Sequence, residues 1–132
     1  MTDCLFCSIV SGTIPANKVY EDEQALAFLD IKPVHPGHVL LIPKQHHAQL
    51  AETPDTLLAQ LFIKAKKLLP AIKLATGADF VVVNVVGTDV PHFHIHLIPR
   101  YFNDGFKGWP TTAYQEGADV IMADSIKNVL RS

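Results

Sequence analysis

The run His92-Phe93-His94-Ile95-His96, continued by Leu97-Ile98-Pro99, restricts what this chain can fold into more than any other segment. Polar and apolar residues alternate with the two-residue period of a β-strand, whose successive side chains point to opposite faces. Phe93, Ile95 and Leu97 therefore share a core-facing side, and three imidazoles share the other. Same-face residues lie about 6.6 Å apart along a strand, which leaves three rings room for separate duties around one bound group. Three of the chain's seven histidines fall within these five residues, so the cluster is a feature of the segment and not of composition.

With 132 residues the chain is long enough for one sizeable core and too short for two, so a single domain over residues 1–132 is expected. The 48% apolar content and net charge of -2 describe a globular chain without the basic excess that binding a nucleic-acid polymer requires. No apolar run approaches the roughly 20 residues that span a bilayer. Met1-Thr2-Asp3-Cys4 also lacks a basic segment followed by an apolar one. A cytoplasmic location with no membrane partner follows as an expectation.

Along the chain, residues 4–10 suit a short N-terminal helix, and residues 18–20 and 25–29 suit a hairpin across Glu21-Asp22-Glu23. A loop fixed by Pro33, Pro36 and Gly37 leads to a third strand over residues 38–42. Thr53 as N-cap and Pro54 at the first helical position open a long amphipathic helix with Leu58, Leu61, Phe62, Ala65, Leu68, Leu69 and Ile72 on one face. Pro70 is expected to kink or split that helix near Lys66, and Gly77 to end it. Residues 79–86 form a β-branched run broken by Asn84, which predicts a central strand covered on both faces with one polar group aimed at a site. The triad strand follows over residues 93–98. An aromatic loop spans residues 101–112, and a last helix uses Val120, Ile121, Ile126 and Val129. Strands followed by helices on one face give an α+β class. His35, in the proline loop, is expected at the surface.

Cys4 and Cys7 are the only cysteines. A redox dithiol would need a preceding strand that three residues cannot supply, and a disulfide does not suit a reducing compartment. Half of a zinc site remains, with His46 or His47 and His92 on offer as further ligands.

Five motifs in order make the chain resemble the histidine triad family of nucleotide hydrolases and transferases. They are Cys4-x-Phe6-Cys7-x-Ile9, residues 27–33 (Ala-Phe-Leu-Asp-Ile-Lys-Pro), Pro36-Gly37-His38, Ile42-Pro43-Lys44-x-His46, and the triad itself. The resemblance implies an antiparallel sheet of about five strands with flanking helices, paired as a homodimer through the long helix and an edge strand. It further implies a purine nucleotide or adenylyl conjugate bound beside the triad. His94 would attack the α-phosphorus and form a covalent nucleotidyl-histidine, with His96, His38 and Asn84 donating to the phosphate, before water releases a nucleoside monophosphate. Asp30 would hold the ribose, with Phe6, Ile9 and Ile31 around the base. Structural zinc would sit on Cys4, Cys7, His46 and His92, with His47 able to replace His46.

One segment departs from that pattern. Many members carry Gly-Gln-Ser or Gly-Gln-Thr shortly before the first triad histidine, where this chain has Gly87-Thr88-Asp89-Val90-Pro91. Thr88, Asp89 and Val90 then border the phosphates, and Asp89 would repel a polyphosphate leaving group or protonate an amine. Phosphoramidates or short adenylyl conjugates are therefore expected over dinucleoside polyphosphates. The competing readings are a dinucleoside polyphosphate hydrolase or nucleotidyl transferase of the same family, a metal enzyme using all three triad histidines as ligands, and a non-catalytic nucleotide-binding protein.

Overall fold

A computed structural model describes residues 4–131, so Met1–Asp3, the start of the segment expected to carry no leader, lie outside the described residues. Five antiparallel strands form one sheet: β1 (Lys18–Glu21), β2 (Ala25–Leu29), β3 (Val39–Pro43), β4 (Phe80–Asn84) and β5 (Ile95–Arg100). Their spatial order is β1-β2-β3-β5-β4. Helices α1 (Leu5–Val10), α2 (Asp55–Thr76) and α3 (Ala118–Leu130) complete the α+β architecture. Among the described residues no helix is long and apolar enough to cross a membrane.

Strand alternation divides the sheet into two unlike faces. Ala25, Ala27, Leu29, Val39, Leu41, Phe93, Ile95 and Leu97 pack with Leu61, Ala65, Leu68 and Ile72 of α2 and Ala123 and Ile126 of α3. On the other face Leu26, Phe28, Leu40 and Ile42 pack against Phe6 and Ile9 of the short helix α1. Because α1 covers only part of that face, the remainder is left for the histidines. Register confirms their side: His96 stands opposite Leu40 of β3 and Asn84 of β4, and directly opposed residues share a face.

Several expectations are corrected. The apolar strand β4 is an edge strand, with Phe80 and Val83 exposed, so it is not covered on both faces. Its β-branched run reads like a buried strand because the apolar residues continue onto the free edge. α2 continues as one helix through Pro70, so it is not split there. Its N-cap is Pro54, because the Thr53 hydroxyl donates back to the Gln49 carbonyl at 2.9 Å, closing a 3₁₀ turn over Leu50–Glu52. Phe62 is exposed on α2, and on α3 the buried positions are Ala123 and Ile126 while Val120 and Ile121 face outward. Gly77 does end α2, in the left-handed conformation (φ 71°).

Gly37 deserves its place for a different reason. Its φ is +96°, and a Cβ there would collide with the Thr76 side chain at the end of α2. Its N–H donates to the Tyr114 hydroxyl at 2.8 Å. The turn delivering His38 is thus pressed against α2 and tied to the chain leading into α3.

Candidate active site

His92 and His94 precede the regular part of β5, yet the alternation holds through them, and all three triad rings are buried. Each ring nitrogen is directed to a different partner. His94 Nδ1 lies 2.8 Å from the His92 carbonyl oxygen. A carbonyl only accepts, so Nδ1 carries the hydrogen and, in the neutral ring, Nε2 carries the lone pair. That Nε2 is buried and makes no hydrogen bond. Asp89 Oδ1 stands 3.2 Å away without hydrogen-bond alignment, on a residue whose side chain is 64% exposed.

The same logic fixes the neighbouring pair. Val34 N–H donates to His38 Nδ1 at 3.0 Å, so the hydrogen of neutral His38 is on Nε2. His38 Nε2 in turn donates to His96 Nδ1 at 2.9 Å, which leaves the His96 hydrogen on its own Nε2. Burial, aided by the neighbouring histidines, pushes His38 down to about 3 and His96 down to about 4. Both rings are therefore neutral near pH 7, and the relay ends in a preset N–H donor.

His92 serves another cluster. Its Nε2–H donates to the Pro43 carbonyl at 2.8 Å, turning Nδ1 toward Cys4 Sγ at 3.4 Å and Cys7 Sγ at 3.5 Å. His46 Nδ1 lies 3.3 Å from Cys7 Sγ. All four ligand atoms fall within 4.8 Å of one another, whereas His47 is turned to Gln45. Tetrahedral zinc with bonds of about 2.3 Å to sulfur and 2.0–2.1 Å to nitrogen sets ligand atoms about 3.6 Å apart, so this donor set fits the ion. The three triad rings, by contrast, send their nitrogens to the cysteines, to a backbone carbonyl and to His38, and do not converge as a shared metal tripod.

A family model described as the HIT domain matches residues 11–103. The chain belongs to the HIT family. An uncharacterised HIT-like protein of Methanocaldococcus jannaschii is 44% identical over 106 residues, covering 77% of this chain and 82% of that one. The adenosine 5'-monophosphoramidase of Saccharomyces cerevisiae is 40% identical over 112 residues, covering 81% and 70%. A zinc-bound histidine triad protein from Mycobacterium smegmatis superposes with a TM-score of 0.88 at 29% identity, covering 98% of this chain and 94% of that chain.

The other residues expected at the site have the following surroundings. Phe6 sets its ring edge-to-face on His94 with centroids 5.1 Å apart, and Ile9 packs behind it. Asp30 Oδ2 lies 3.7 Å from His38 Nε2, and burial raises the Asp30 pKa. Asp30 and Ile31, the latter 77% exposed, border a cavity of about 180 Å³ that also includes Asn17, Tyr114 and Asp119. Asn84 flanks His96, Thr88 is exposed, and Val90 packs against the α1 core.

Two groups escaped the sequence reading. Trp109 lies in the 101–112 loop with its ring 4.9 Å from His96. His35, expected at the surface, is half-buried: Nε2 reaches Asp104 Oδ2 at 3.1 Å and the ring stacks on Phe106 at 4.4 Å. The only sequence signal for either was the aromatic content of that loop, because Trp109 meets His38, and His35 meets Asp104, across about 70 residues of chain.

The neutral relay has a pH consequence. Unfolded, both rings return to their ordinary pKa near 6.5, so below that value the unfolded chain binds protons that the folded protein excludes. Stability contributed by His96 is thus lost as pH falls from about 6.5 toward about 4, and the loss from His38 continues toward about 3. By NMR, neither ring should titrate between about pH 8 and 5, while the unfolding free energy declines on acidification. A transition of either ring near pH 6.5 contradicts the buried relay.

Proposed function

We propose that this HIT protein hydrolyses purine nucleoside phosphoramidates or related adenylyl conjugates at the α-phosphorus, through a covalent nucleotidyl-histidine at His94. The observation that carries the reading is the His94 ring: one nitrogen is saturated by the His92 carbonyl and the other is buried, unbonded and directed to the site. A neutral imidazole so fixed needs no separate base to act as a nucleophile. The relationship to a protein named as an adenosine 5'-monophosphoramidase supports the substrate class.

In the first step, the His94 Nε2 lone pair forms the N–P bond as the bond from phosphorus to the leaving nitrogen breaks. The departing amine takes its proton from solvent, and Asp89 stands at the site as an exposed carboxylate 3.2 Å from Nε2. His96 donates its preset N–H to a non-bridging oxygen, and Asn84 on the same face adds a neutral donor. His38 acts through His96, because its hydrogen is already engaged there. Water then attacks phosphorus, breaks the N–P bond, releases the nucleoside monophosphate and restores His94. Asp30 receives the ribose hydroxyls, with Phe6, Ile9 and Ile31 beside the base, and Thr88 and Val90 border the phosphoryl group.

Zinc on Cys4, Cys7, His46 and His92 has a structural role in this reading. All four positions are protein ligands, so no place remains for an activated water. The ion would tie α1, which carries Phe6, to the residue whose carbonyl sets the His94 tautomer. Purified protein is expected to carry about one zinc per chain. Replacing Cys7 by Ala should release it and lower the unfolding temperature, and an unchanged unfolding temperature would contradict the bracing role.

Asp89 distinguishes this substrate class from dinucleoside polyphosphates. A carboxylate beside the nucleophile repels a chain of phosphates more than it repels a single departing amine. We expect kcat/KM for adenosine 5'-phosphoramidate to exceed that for diadenosine tetraphosphate by about tenfold or more, with the gap narrowed in Asp89→Asn. Comparable or better turnover of the tetraphosphate by the unmodified protein overturns the assignment.

A further inference from the structure

A cavity of about 660 Å³ opens away from the triad, where β1, α2 and the end of α3 meet. Its floor is apolar: Val19 of β1, Leu68, Pro70 and Ala71 of α2, and Val129 and Leu130 of α3 line it. Val19, Leu68 and Ala71 share a core cluster with Phe93, Ile95 and Leu97, the residues that alternate with the triad. The cavity therefore belongs to the opposite side of the sheet from the histidines.

The rim is basic. Lys18, Lys64, Lys67, Lys127 and Arg131 line it, with Glu21 as the one carboxylate among its described lining residues. Five of the chain's eleven Lys and Arg residues thus meet here, against one of its thirteen Asp and Glu residues, in a protein of net charge -2. Three of these cations are already paired: Lys18 with Glu21 at 3.2 Å, Lys64 with Asp22 at 3.1 Å and Lys127 with Asp124 at 3.2 Å. Glu21 is also held by Lys44 at 2.8 Å. Lys67 and Arg131, both exposed, have no ion-pair partner among the described residues. The negative end of the α3 dipole favours cations at 127 and 131, but it does not account for Lys67 on α2 or Lys18 on β1. What these residues share is the cavity.

We propose that this cavity binds a small amphipathic anion, a medium-chain aliphatic carboxylate, with the chain on the apolar floor and the carboxylate on Lys67 and Arg131. Its volume falls in the range of about 300–1,000 Å³ that small-molecule sites occupy. Two unpartnered cations suit one singly charged group, and the arginine fork matches a carboxylate. A polyanion would have to draw Lys18, Lys64 and Lys127 out of their existing pairs. The proposal concerns binding alone, makes or breaks no bond, and stands apart from the hydrolase reading because the triad is on the other face.

The test is titration calorimetry of the unmodified protein with octanoate, dodecanoate and dodecyltrimethylammonium, each below its micellar concentration. Dodecanoate should bind saturably at about one per chain and at least about tenfold more tightly than octanoate, since each buried methylene is worth up to about fourfold in Kd. It should exceed the cationic probe by a similar factor. The double variant Lys67→Gln/Arg131→Gln should weaken dodecanoate about tenfold or more and leave adenosine monophosphate binding unchanged. In NMR spectra, dodecanoate should shift amides of residues 67–71 and 127–131. Absence of saturable binding, several equivalents bound per chain, equal affinity for the cationic probe or an unaffected double variant overturns the proposal. Displacement of dodecanoate by adenosine monophosphate, or shifts centred on residues 92–96, would place the chain at the triad and refute it. A double variant with an altered oligomeric state in sedimentation would make the groove an interface between copies, which also refutes it.

Discussion

The hydrogen bond from His94 Nδ1 to the His92 carbonyl, 2.8 Å long, is the contact on which the site depends. It decides which nitrogen of the central ring holds the lone pair and therefore which atom can attack. It also makes one residue serve two purposes, because the ring of His92 faces Cys4 and Cys7 while its carbonyl sets the tautomer of His94. The Pro43 carbonyl, accepting from His92 Nε2, orients that ring in turn. The even spacing of the three histidines thus conceals three separate chemical environments.

Around that contact the sheet separates stability from chemistry. The face that packs on α2 and α3 holds most of the apolar core, including Phe93, Ile95 and Leu97 from the triad segment itself. The opposite face carries the histidines and is packed by the short helix α1. Two elements border the triad there: α1 brings Phe6 to His94, and the loop after β5 brings Trp109 to His96. The buried rings of His38 and His96 stay neutral because burial disfavours their charge, which keeps each one a directional donor rather than a diffuse cation.

Local signals made much of this legible in the sequence. Alternation in the triad segment specified its two faces, the proline and glycine positions marked the turn before His38, and the three-to-four-residue spacing from Leu58 to Ile72 located α2. The Cys4–Cys7 pair called for two histidines, and the structure brings in His46 and His92 while turning His47 away. What the sequence hid depends on long-range packing. An edge strand and a central strand can share one β-branched pattern, so the position of β4 followed only from its pairing with β5 alone. Trp109 and His35 gained their neighbours through the return of the 101–112 loop, which no periodicity announces.

The central claim is that Nε2 of His94 forms a bond to phosphorus. A single-turnover reaction with adenosine 5'-phosphoramidate, quenched in alkali to preserve the acid-labile N–P bond and digested, tests it most directly by mass spectrometry. The account predicts an adenylyl group on the peptide containing residues 92–96, attached at Nε2 of His94 and absent from His94→Ala. Product formation with no adenylyl adduct on a trapped time course, or an adduct on another residue, would contradict it.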